Sequence, residues 1–115
     1  MDATAKQFRE SRLTLLAFYA SPQQQLEWQS RTPTLDSDEI MCWWLDDWHP
    51  ESSLFRAAFA ELEIAMLASF SSDFGRVADK FAAAGPKVAE LLTDRDWQAV
   101  IANAQALVGA LRDAT

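Results

Sequence analysis

Four side chains in one short stretch could hold a divalent ion. Asp46, Asp47, His49 and Glu51 fall within six residues of the 115-residue chain. Carboxylates with an imidazole suit zinc, manganese or iron. The stretch runs into Pro50 at what reads as a helix end, so its side chains point in different directions. Carboxylate centres in helical bundles use Glu and Glu-x-x-His on facing helices, and no Glu-x-x-His occurs here. The expectation is a solvated acidic helix end, with no metal and no cofactor. His49 is the only histidine, so any Ser–His or Cys–His mechanism would have to run through it. Cys42 sits in Met41-Cys42-Trp43-Trp44 with no base nearby in sequence to lower its pKa, and reads as a buried small hydrophobe. Gly-rich phosphate loops, G-x-S-x-G, H-E-x-x-H and paired C-x-x-C motifs are missing. The chain reads as non-enzymatic, with no catalytic residue.

The elements that must position these residues all carry the helical period. Phe8, Leu15, Leu16 and Tyr19 predict a first helix over about 3–20. Ser21-Pro22 reads as an N-cap with proline at the first helical position, opening a short second helix to about Arg31. Asp36 or Ser37 caps a third helix through Ile40, Trp44 and Trp48, which His49-Pro50 then breaks. Phe55, Phe59, Leu62, Met66, Phe70, Phe74, Val77 and Phe81 follow at intervals of three or four, a single apolar stripe. As one rod over 53–84 it would be roughly 48 Å long, too long for a domain with a radius of gyration of about 13 Å. A bend is therefore expected, at Ser71-Ser72 or Gly75. Glu61 and Glu63 read as the exposed side of this segment. Gly85-Pro86 ends it, 87–92 forms a short helix, and Thr93 or Asp94 caps a last helix carrying Trp97, Val100, Ile101, Ala104, Leu107 and Leu111. Trp28 and Trp97 read as core. The expected architecture is all-α, one compact domain of five to seven helices over 1–115, with no sheet.

Charge narrows the partners. The net charge is −7, from 17 acids against 10 Lys and Arg. Six of the acids (Asp36, Asp38, Glu39, Asp46, Asp47 and Glu51) fall between positions 36 and 51, where no Lys or Arg occurs. Removing them leaves 11 acids against 10 bases, so the excess is concentrated in one window that also holds three of five tryptophans. Nucleic acid and anionic membrane surfaces both need a basic face. The N-terminus has no apolar signal region and no stretch approaches 18 uninterrupted apolar residues. With a lone cysteine, a reduced, cytoplasmic protein is expected.

Trp44 and Trp48 share a helix face with Ile40, while Trp43 points about 100° away from Trp44. Two readings follow. All three tryptophans are buried and the acids keep the surface soluble, or Trp43 is partly exposed within an acidic rim. Protein interfaces use aromatic anchors in this way. Asp46 and Asp47 at a helix C-terminus oppose the macrodipole, at about 0.3–1 kcal/mol each. An acidic face suits a basic partner, such as a nuclease.

The run Trp44-Leu45-Asp46-Asp47-Trp48-His49-Pro50, then Leu54-Phe55 and Phe59, then Glu63, Leu67 and Phe70, and finally Trp97-Gln98-Ala99-Val100, resembles small helical immunity proteins of bacterial contact-dependent growth inhibition and polymorphic toxin systems. The resemblance covers about 43–111. It implies a cytoplasmic protein that binds and neutralises a cognate toxin, often a nuclease, and carries over no catalytic residue. The partner-binding residues expected are Asp36, Asp38, Glu39, Trp43, Asp46, Asp47, Trp48 and Glu51. Two other functions remain open: a helical module that self-associates through its apolar stripe, and a metal-dependent enzyme using the four clustered side chains.

Overall fold

The caps that open the helices come from the residue types that favour them. In the computed structural model, which describes residues 1–114, the Asp2 side chain accepts from the Ala5 N–H at 2.8 Å and opens α1 (Ala3–Tyr19). Ser21 opens α2 (Pro22–Arg31), with Pro22 in its first turn. Ser52 opens α4 (Ser53–Ala58) and Asp94 opens α7 (Arg95–Asp113). Each accepts one or two of the N–H groups that a first turn leaves without partners. At α3 (Asp38–Leu45) the work is divided. Ser37 occupies the cap position without a capping bond, and Asp36 accepts from the Asp38 N–H at 2.9 Å. With α5 (Glu61–Phe81) and α6 (Val88–Leu91), these make seven helices and no strand among the described residues. The architecture is all-α, and α1 lies against α2, α4 and α7.

The break in the long apolar segment is not at Ser71-Ser72 or Gly75, which lie inside α5. It is at Phe59-Ala60, where the backbone is extended at both residues. The cause is Arg9. Its Nη1 donates to the Ala58 carbonyl at 3.0 Å, and its two terminal nitrogens hold both Glu63 carboxylate oxygens at 2.9 Å. Glu63 in turn accepts from the Ala60 N–H at 2.9 Å. One buried pair thus closes α4 and opens α5. Arg9 is 6% exposed and the Glu63 side chain 15%, so Glu63 does not belong to the solvated face the sequence suggested. The break also resets the phase of the stripe. Leu62 falls outside the core at 74% exposure, while Phe55, Phe59, Phe70, Phe74 and Val77 are buried.

The third helix stops at Leu45, short of the expected Trp48. Trp48 sits in the following turn and still reaches the core, stacked on Trp44 with ring centroids 6.0 Å apart. Deeper in, the rings of Tyr19, Phe74 and Trp97 pack against one another, with Tyr19 also edge-on to Trp44. Their polar ends are met. Tyr19 Oη donates to the Ile40 carbonyl at 2.6 Å, Trp97 Nε1 to Gln25 at 2.9 Å, and Trp44 Nε1 to Ser71 Oγ at 2.9 Å. Buried aromatic heads need such partners.

Removing one member of a buried pair costs about 3–5 kcal/mol, because the other is left charged and unpaired. Glu63→Ala should lose about that much in urea unfolding, and Arg9→Met with Glu63→Leu less than the single change. The hydrogen bonds from Arg9 hold the Glu63 carboxyl below its ordinary range. Its contribution is therefore complete above the unfolded value of about 4.3 and lost as pH falls below it. The stability gap between wild type and Glu63→Ala should shrink below about pH 4.3. Ser71→Ala should cost about 1–3 kcal/mol by stranding the Trp44 N–H.

Candidate interaction surface

The eight residues expected to bind a partner divide between the two ends of α3. Asp38 and Glu39 are exposed in its first turn, where negative charge favours the helix. Glu39 also accepts from Trp43 Nε1 at 3.4 Å. Asp36 is tied into the fold. Besides its bond to Asp38, its carboxylate closes over Gly85, which has a φ of 53°. A Cβ at Gly85 would meet that carboxylate at 2.8 Å, so the position takes glycine for two reasons. Trp48 is committed to Trp44 and to Phe55, 5.3 Å away edge-on.

Trp43, Asp46, Asp47 and Glu51 gather at the other end. Trp43 is partly buried, edge-on to Trp28 at 5.5 Å and beside Phe18 at 5.4 Å. With Asp46 and Asp47 it lines a cleft of about 710 Å³ whose far wall is the face of α1 that carries Arg12, Leu15 and Phe18. A second cleft of about 470 Å³ opens on the other side of Asp47, between Phe8, Glu51 and Leu54. Asp46 and Glu51 are exposed, and the Asp47 side chain is 63% exposed.

Arg12 lines the larger cleft. Its Nη2 lies 3.6 Å from Asp47, too long for a hydrogen bond. Its Nε and Nη1 are buried without hydrogen-bond partners. The guanidinium rests against the Phe8 and Trp44 rings, 5.7 and 5.9 Å from their centroids. Cation–π attraction offsets part of the lost hydration. The α1 wall was outside the sequence-based site, yet it left a signal. Beside the buried stripe Ala5, Leu13, Leu16 and Tyr19 runs a second, partly buried one at Phe8, Leu15 and Phe18, so α1 is apolar over a wider arc than its fully buried residues occupy.

Burial and the carboxylate of Asp38 raise the Cys42 pKa, keeping it a neutral thiol. His49 is exposed, with Nε2 3.1 Å from the Asp46 carbonyl oxygen. Among the described residues no three His, Cys, Asp or Glu side chains come together to hold a metal. Comparison with protein-family models, curated proteins and solved structures finds no match to the chain.

A metal whose Kd is one hundredth of its free concentration would stabilise the fold by about 2.7 kcal/mol. Millimolar zinc or manganese, or chelator, should leave the thermal midpoint of the untagged protein unchanged. A rise of several degrees would revive the Asp46, Asp47, His49 and Glu51 site.

Proposed function

We propose that this chain is an immunity protein that binds and neutralises a cognate bacterial toxin with a basic, nuclease-type surface. One observation carries the reading. Asp46, Asp47 and Glu51 stand exposed around clefts floored by partly exposed aromatics, and Asp46 and Asp47 follow the end of α3, where their charge does not help the fold. The resemblance of 43–111 to immunity proteins of contact-dependent growth inhibition systems points the same way. Inhibition would be non-catalytic, by occlusion of the toxin's active site or substrate-binding face. The acids would steer encounter and set specificity. The site of action would be the cytoplasm, where the toxin works. No described helix is long and apolar enough to cross a membrane.

Self-association through the apolar stripe has less to build on. Five of its eight residues are buried in the chain's own core, and only Leu62 is exposed.

The test is capture and co-expression with the protein encoded immediately upstream. That protein should be toxic alone and harmless with the wild-type chain. Asp46→Lys with Glu51→Lys should weaken the complex at least tenfold, mainly through slower, less salt-sensitive association, with the thermal midpoint unchanged. A non-toxic neighbour, or toxicity that persists beside the wild-type chain, sinks the proposal.

A further inference from the structure

The two clefts meet at Asp47, which lines both. Helix α1 walls both, with Phe8 in the smaller and Arg12, Leu15 and Phe18 in the larger, so the pair runs along α1 as a groove with Asp47 between its two parts. Phe8, Arg12, Leu15 and Phe18 recur at intervals of three or four along one wall. From Phe8 to Phe18 the wall runs ten residues, about 15 Å or nearly three helical turns. Its apolar members are partly buried, packed on the core from one side and open on the other. The facing wall is the chain from Asp46 to Leu54, which brings Asp46, Asp47 and Glu51 and no Lys or Arg. Arg12, the one Lys or Arg on either lining, keeps two of its nitrogens buried and the third turned to Asp47. The groove therefore presents an apolar floor along one edge and negative charge along the other.

An amphipathic helix is the segment that matches such a groove, anchoring apolar residues at i, i+3, i+4 and i+7. We infer that the groove along α1 docks a basic amphipathic helix of the protein partner, about three turns long. Its apolar side would lie on Phe8, Leu15, Phe18 and Trp43, and its Lys or Arg flank would face Asp46, Asp47 and Glu51. Asp47 has room for this, since Arg12 approaches it no closer than 3.6 Å. A second copy of this chain is a poor occupant, because each copy carries −7. The inference rests on the proposed function for its natural partner, but the groove can be probed without that partner.

Thr14 is exposed on the groove wall, and its side chain makes no hydrogen bond or ion pair among the described residues, so Thr14→Lys places a cation in the groove while sparing the core. Two 14-residue helical peptides serve as probes, with identical Leu positions and either Lys or Glu on the flank. Binding is read by tryptophan fluorescence and by amide shifts along α1. The Lys peptide should bind at least tenfold more tightly than the Glu peptide and shift the amides of 8–18. Thr14→Lys should weaken it at least tenfold with an unchanged thermal midpoint. Equal binding of the two peptides, or undiminished binding to Thr14→Lys, overturns the inference. The toxin complex separates this from the broader reading. If the upstream toxin is neutralised equally by Thr14→Lys and wild type, the groove is not its dock and only the inference falls. If the Lys peptide binds as expected and the upstream neighbour is not toxic, the inference stands and the immunity function falls.

Discussion

A guanidinium buried where four helices meet constrains the whole molecule. Arg9 enters from α1, closes α4 at Ala58, grips Glu63 in the first turn of α5, and donates to the Leu111 carbonyl near the end of α7 at 3.0 Å. Phe59 covers it, 5.0 Å from ring centroid to guanidinium carbon. Two charges taken out of water cost several kcal/mol each, and only good geometry with further hydrogen bonds offsets this. Here the carboxylate is held bidentate, and the Ala58 and Leu111 carbonyls near two helix ends accept from the same guanidinium. The arrangement works only with α1, the α4–α5 break and α7 in one relative placement. Its contribution is at least as much to a unique assembly as to net stability.

That placement decides which face of α1 is left over. Arg9 lies in the buried stripe with Ala5, Leu13, Leu16 and Tyr19. Arg12, three residues on, lies in the neighbouring stripe, and the two arginines fare differently. Arg9 meets a bidentate carboxylate and two carbonyls, whereas Arg12 meets aromatic faces and a distant, solvated carboxylate. A surface pair of this kind is worth about 0–1 kcal/mol. The second stripe thus borders a groove whose charges are only loosely committed to the fold.

The helices were legible because their signals are local. Caps at Ser21 and Asp94, proline at 22 and the three-to-four spacing of apolar residues all act within a turn or two. The α4–α5 break was not legible, because the spacing from Phe55 through Phe59 to Leu62 is unchanged across it. What breaks the rod is Glu63 reaching Arg9, 54 positions earlier, and no periodicity reports such a partner. The same holds at the surface. Trp43, Asp46 and Asp47 announced themselves by type and clustering, but the α1 wall that completes their cleft is some thirty residues away in sequence. Asp36 combines two of the readings the sequence offered, an acid of the window and a cap of α3. It shared the acidic window, yet its carboxylate is occupied in closing over Gly85 and capping α3.

The two ends of α3 separate acids with a structural reason from acids without one. Asp38 and Glu39 sit at the N-terminus, where the helix dipole favours them by about 0.3–1 kcal/mol each. Asp46 follows the last turn, where the same dipole opposes it. Among the described residues no Lys or Arg pairs with its carboxylate; its N–H donates to the Cys42 carbonyl and its carbonyl oxygen lies 3.1 Å from His49 Nε2. Asp47 gains little from Arg12, and Glu51 lies exposed beyond Pro50. These three exposed acids, of which only Asp47 has a Lys or Arg side chain near it, direct a negative field outward over the groove. Such a field is least costly when a complementary surface neutralises it, which is the condition a basic partner would meet. The same exposed charge leaves an anionic partner no favourable approach to this face. A partner docked at this end of α3 would therefore need a positive surface.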